Sequence, residues 1–199
     1  MNRLVAAGAL AAFLLALLAI VLTSTSGDGS SSSPATTAAT TVTPPTQPAT
    51  TAPAPPRQVA VELKGTGAYD PDGDQHENGD LAPLAVDGDP ATFWKTEHYT
   101  KGFVKKGVGL VLDAGRSLRL SRVVVETDAP GSSAQILLGN DPAGPFRPVS
   151  PDRPLTATTT YTLGKNAAGR YLVIWITSLP RDLGEAHVNE VRASATVAG

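Results

Sequence analysis

The sequence predicts an all-β fold, an antiparallel β-sandwich, for residues 58–199. Apolar and polar residues alternate with period two in one short stretch after another, and Gly, Pro or Asp turns separate the stretches. After residue 58 no stretch repeats its apolar residues at helical spacing. Both tryptophans and all four tyrosines lie in this part. Its roughly 140 residues are enough for one domain with its own core.

Two segments precede it. Leu4 to Leu22 reads LVAAGALAAFLLALLAIVL, without a charge. As a helix rising about 1.5 Å per residue it spans roughly 28 Å, close to a bilayer core, so residues 1–23 are expected to form a transmembrane anchor. The following LTSTSG lacks the small-residue pattern of a cleavage site, which favours an uncleaved single-pass anchor over a signal peptide. Arg3 is the only nearby charge and places the N-terminus in the cytoplasm and the bulk of the chain outside the cell membrane. Residues 24–57 are almost wholly Ser, Thr, Pro and Ala. They have too little apolar surface to offset the entropy of folding and are expected to be a disordered linker, on the order of 100 Å when fully extended. Such stalks are often O-glycosylated.

The strands follow in order. VAVEL (59–63) is the first. GVGLVLDAG (107–115) puts Val108, Leu110 and Leu112 on one face. LRLSRVVVET (118–127) alternates through Leu118 and Leu120, slips phase at Arg122, and continues into Val123–Val125. AQILLGND (134–141), TTTYTLG (158–164), RYLVIWITS (170–178) and HVNEVRASATV (187–197) complete the set, rich in β-branched residues. Between the first two strands, residues 64–106 read as one long irregular segment, of the kind that is usually functional or wrapped over the core. Arg170 is expected near a sheet edge and Tyr171 in the core.

Composition removes several chemistries. The net charge of -2 does not suit a nucleic-acid binder, and the absence of cysteine removes disulfides, thiolate catalysis and Cys-based zinc sites. There is no G-x-S-x-G elbow, P-loop or G-x-G-x-x-G. The three histidines, His76, His98 and His187, are scattered and predict no shared zinc site. A non-catalytic protein is expected.

Three stretches hold candidate functional residues. In DGDPATFWKTEHY (87–99), Asp87 and Asp89 fit a metal loop, a carboxylate pair or an Asp-capped turn. In 70–80, Asp70, Asp72 and Asp74 open like an EF-hand, but Gln75 stands where glycine is required and Leu81 where the bidentate glutamate belongs, so a solvated turn is expected. KTEHYTKGFVKKG (95–107) interleaves Lys95, Lys101, Lys105 and Lys106 with His98, Tyr99 and Phe103. Cations and aromatics so mixed suit an anionic or sugar-like polymer, with Lys95, His98, Tyr99, Lys101, Phe103 and Lys105 as binding residues. A solvated loop with Tyr99 and Phe103 folded onto the core also fits.

LAPLAVDGDPATFWKTE, GVGLVLDAGRSLRLSRVVVET, GRYLVIWITS and VNEVRASAT stand in the order of the motifs of the discoidin, or coagulation-factor type C, family of galactose-binding-like domains, which residues 59–197 resemble. The resemblance implies an antiparallel jelly roll in which the DG loop meets the last strand. It also implies one structural Ca²⁺ held by Asp87, Thr92 and Glu190, with Asp89 as a secondary ligand. Trp94 would be a core plug beneath the loop, with Phe93 pointing the other way. Residues 70–78 are similar to extracytoplasmic domains of some bacterial serine/threonine kinases and lipid II flippase-like proteins. The expected function is a membrane-tethered binding module for a cell-envelope carbohydrate or anionic polymer, peptidoglycan-related material among them. The alternative is a protein-interaction or sensory ectodomain docking onto another envelope protein.

Overall fold

The computed structural model describes residues 56–197, so the anchor expected over 1–23 and nearly all of the linker expected over 24–57 lie outside the described residues. The strands are β1 (Arg57–Val61), β2 (Lys64–Tyr69), β3 (Trp94–Lys95), β4 (Val108–Glu126), β5 (Ser133–Gly139), β6 (Arg147–Pro148), β7 (Arg153–Pro154), β8 (Thr158–Thr162), β9 (Ala168–Ser178), β10 (His187–Val188) and β11 (Glu190–Val197). A 3₁₀ helix, Gly79–Ala85, lies between β2 and β3.

Every strand pairing is antiparallel, and β4 belongs to both layers of the sandwich. Its first half pairs with β2 and β9, and β5 continues that layer outward to β6 and β7. Its second half pairs with β11 and β8, with β1 at the edge of β11. The β4–β9 register breaks between Asp113 and Leu118, around Gly115 at φ 74°, and pairing with β9 ends at Arg119, after which β11 and β8 become the partners. The two stretches read from the sequence as separate strands, 107–115 and 118–127, are therefore one bent strand. The phase slip at Arg122 has a similar origin. The β4–β11 register shifts so that Arg122 opposes Ser194 while Leu120 opposes Ala195. One extra residue, Ser121, lets Leu118 and Leu120 before it and Val123 and Val125 after it all face inward.

The core fills the space between the layers. Leu110, Leu112, Ile136, Leu138, Leu172, Ile174 and Ile176 face Leu120, Val123, Val125, Tyr161, Val191, Ala193 and Ala195, with Trp94 plugging one end. A smaller cluster covers the outer face of the first layer: Val111, Leu137, Tyr171, Val173 and Trp175, with Tyr69 and Phe146 packed on it. Tyr171 thus lies in this outer cluster and not in the main core, because β9 is a central strand apolar on both faces. Arg170 binds Asp113 through two 2.8 Å hydrogen bonds and lies over the Tyr171 ring. Gly107 allows the Trp175 indole to lie against the neighbouring strand, since a Cβ there would collide with its Cε2, and a Cβ at Gly109 would collide with Val173 Cγ1.

The segment 64–106, expected to be irregular, holds β2, the 3₁₀ helix and β3. Its strand β2 is hard to read because KGTGAY carries two glycines and pairs only along one edge, to β4.

Candidate functional site

The end of the sandwich closed by β3 and β10 holds most of the residues singled out in the sequence. Strand β3 follows Phe93 and puts Trp94 inward and Lys95 outward. The Trp94 indole is fully buried, and its Nε1 donates to the Glu77 carbonyl at 3.0 Å. Phe93 turns the opposite way and stacks on the His187 imidazole, 4.2 Å between centroids and 10° from parallel. Both orientations match those expected of the stretch.

Below Trp94 lies a buried polar network. The Lys105 ammonium bonds Asp70 Oδ2 at 2.8 Å and Glu77 Oε1 at 3.0 Å, and both carboxylate side chains are closed to solvent. The Tyr99 hydroxyl donates to Glu77 Oε1, and the Glu97 N–H donates to Glu77 Oε2 at 2.8 Å. Burial works against the charge on Lys105, but its hydrogen bonds with Asp70, Tyr99 and Glu77 prevail and push it above the ordinary lysine value. Burial and the bond to Glu77 push the Tyr99 hydroxyl up as well. Tyr99 meets Phe103 edge to face at 4.9 Å, and Phe103 packs against the core. Tyr99, Phe103 and Lys105 are therefore turned inward as supports for the loop. The stretch 70–77 is not a solvated turn throughout: Asp70 and Glu77 are two of the most buried acids, while Asp72 and Asp74 stay exposed and accept backbone N–H groups.

Lys95 and His98 are on the open side. Glu185 collects Lys95 Nζ at 3.2 Å, His187 Nε2 at 3.1 Å and His98 Nδ1 at 3.9 Å, while Asp128 holds the other His187 nitrogen at 2.9 Å. Burial opposes ionisation of Glu185, but His187 and Lys95 hold its carboxyl below the usual range. Asn78, Lys95, Glu97, His98 and Glu185 line a shallow cleft of about 410 Å³. Two histidines that look scattered in the sequence thus converge on one carboxylate. Lys101 is exposed. With Lys95 tied to Glu185 and Lys105 to two acids, the lysines of 95–107 do not form one cationic patch. Sequence reasoning passed over Asn78, Glu97, Glu185 and Asp128; the Asn-Gly pair at 78–79 was the one local signal, marking a turn.

The DG loop meets the last strand as expected. Glu190, the first residue of β11, accepts the Gly88 N–H at 2.8 Å. Thr92 Oγ1 lies 2.9 Å from Asp87 Oδ2, 3.0 Å from the Asp89 carbonyl and 3.3 Å from the Leu84 carbonyl. A hydroxyl has one proton for three acceptors, so oxygen is in excess here. The Asp89 carboxylate instead caps its own turn through the Ala91 N–H, leaving its carbonyl as the group directed at Thr92. The Asp89 and Thr92 donors hold the Asp87 carboxyl below its ordinary range, whereas burial and then the neighbouring Asp87 charge push Glu190 up. Among the described residues no three His, Cys, Asp or Glu side chains converge on a metal position. The donor set is two carboxylates with carbonyl and hydroxyl oxygens, all hard ligands of the kind Ca²⁺ takes.

The fold has known counterparts. A module named CBM32-3, from a family 31 glycoside hydrolase of Clostridium perfringens, superposes with a TM-score of 0.51 at 13% identity, covering 68% of this chain and 94% of that one. A truncated AlyQ with CBM32 and alginate lyase domains gives a TM-score of 0.51 at 19% identity, covering 72% of this chain and 34% of that longer one. The fold is that of the family 32 carbohydrate-binding modules. It is a galactose-binding-like, discoidin-type fold, as the sequence motifs implied. No protein-family model matches the sequence.

Proposed function

We propose that residues 58–197 form a non-catalytic carbohydrate-binding module, held outside the cell membrane by the N-terminal segment and directed at cell-envelope glycan. The observation that carries this reading is the cleft in which Glu185 fixes Lys95, His98 and His187. Donors and acceptors locked by their own ion pairs meet sugar hydroxyls without first losing rotamer freedom. The two solved counterparts, one from a glycoside hydrolase and one beside an alginate lyase domain, support a sugar ligand. The inward Lys105 and neutralised Lys95 argue for a carbohydrate over an anionic polymer.

A single structural Ca²⁺ is part of the proposal. Asp87, Glu190, Thr92 and the carbonyls of Leu84 and Asp89 would hold it, and it would fix the DG loop against β11.

The test is retention of the full chain, in detergent, on insoluble cell-wall material and on a glycan array. Retention is expected for the wild type and is expected to fall at least about tenfold in H98A and E185Q, with melting curves confirming that both remain folded. Equal retention of these variants, or crosslinking to an envelope protein without any wall binding, would replace this reading with the docking-ectodomain alternative.

A further inference from the structure

The cleft at Lys95 and His98 does not end there. It shares Asn78 and Glu97 with a second cleft of about 470 Å³, and the second shares Ala68 and Gln75 with a third of about 520 Å³ bounded by Tyr69 and Pro142. The three adjoin in series along one side of the 68–80 segment. The two residues at these joints stand out in the backbone: Gln75 at φ 66° and Asn78 at φ 52° are the non-glycine residues with positive φ among the described residues.

The charges along the series are unequal. Lys95 is matched by Glu185, and Lys105 by Asp70 and Glu77. Asp80 and Glu97, both exposed and lining the middle cleft, have no cationic partner among the described residues. At the third cleft Asp70 Oδ2 bonds Lys105, but Asp70 Oδ1 is buried without any hydrogen-bond partner. A buried acceptor without a donor is uncommon, and because this side chain is closed to solvent the donor that fits it is a buried water and not a ligand group. Half-buried Tyr69, braced by Phe146 and Trp175, adds an aromatic wall at that end.

We propose that the three clefts are successive subsites of one groove for an extended oligosaccharide bearing free amino groups, whose ammonium charges meet Glu97 and Asp80. This rests on the carbohydrate reading above and deepens it. Uronates are disfavoured because the uncompensated charge along the groove has their own sign.

The test is calorimetric titration of the full chain in detergent with glucosamine oligomers of one to five units, their N-acetylated equivalents and oligogalacturonates of matched length. Affinity is expected to rise at least about tenfold from one glucosamine unit to four, to exceed that of the N-acetylated series, and to fall with added salt. D80N and E97Q are expected to weaken the glucosamine tetramer several-fold and leave the N-acetylated tetramer unchanged. Affinity independent of length, with monosaccharide binding intact, would overturn the groove while sparing the single-site reading. Oligogalacturonate binding as tightly as glucosamine oligomers would overturn the charge argument. If no sugar in any series bound, the groove and the carbohydrate reading would fall together.

Discussion

Lys105→Met removes the one cation shared by two carboxylates. Both Asp70 and Glu77 have side chains shut off from solvent, and Lys105 itself is only 16% exposed, so water is poorly placed to take over from the ammonium. Methionine keeps most of the stem's packing, so the change isolates the charge. Removing one partner of a buried pair typically costs about 3–5 kcal/mol, because the charge left behind is uncompensated. Here two are left, with the Tyr99 hydroxyl and the Glu97 N–H as remaining donors to Glu77 and the Gln75 N–H to Asp70. For a domain near 140 residues each kcal/mol moves the melting temperature by about 3–4 °C, so a fall of roughly 9–20 °C is expected. Lys105 has a raised value in the folded state, so its contribution is fully present below the ordinary lysine pKa and is lost only as pH rises into the strongly alkaline range. The deficit of K105M is therefore expected at neutral pH. The assay is thermal unfolding of wild type, K105M, E77Q and the double variant at pH 7. The double variant should lose less than the sum of the singles, since the lysine and the glutamate each count on the other. A loss below about 1 kcal/mol, or strict additivity, would show the network to be screened by solvent and refute the reasoning.

Other outcomes follow from the same geometry. Millimolar Ca²⁺ is expected to raise the melting temperature, equivalent to about 2.7 kcal/mol at a hundred times Kd, and to leave D87N and E190Q unmoved; a flat wild-type titration would remove the ion. In metal-free protein the raised Glu190 contributes stability present below the ordinary glutamate pKa and lost as pH rises through its raised value, so the Ca²⁺ response should weaken on acidification as protons compete for that carboxylate. Trp94→Phe leaves the Glu77 carbonyl without its donor and opens a void in the plug, for an expected loss of about 2–4 kcal/mol by chemical denaturation. Gly107→Ala drives a methyl into the Trp175 indole, costing about 1–3 kcal/mol; an unchanged midpoint would mean that the indole does not rest on that strand.

Period-two alternation carried the layered β architecture and the inward faces of the strands after residue 107, while the meeting of the DG loop with the strand that begins at Glu190 followed only from the resemblance of the motifs to a known family. Alternation decides which side chains face inward whatever their distant neighbours are, and the Asp-Gly turn fixes its own local geometry. The remaining features depend on contacts between distant parts of the chain. That 108–126 is one strand serving two layers depends on the bulge at Ser121 and the bend at Gly115, which a one-dimensional pattern shows merely as a phase slip and a turn. Which lysine lies at the open cleft and which is turned inward was equally hidden: Lys95 and Lys105 sit in the same stretch, but one meets Glu185 across 90 residues and the other meets Asp70 across 35. Charge pairing depends on distance in space, and the sequence carries that distance only through the packing of every element between the partners.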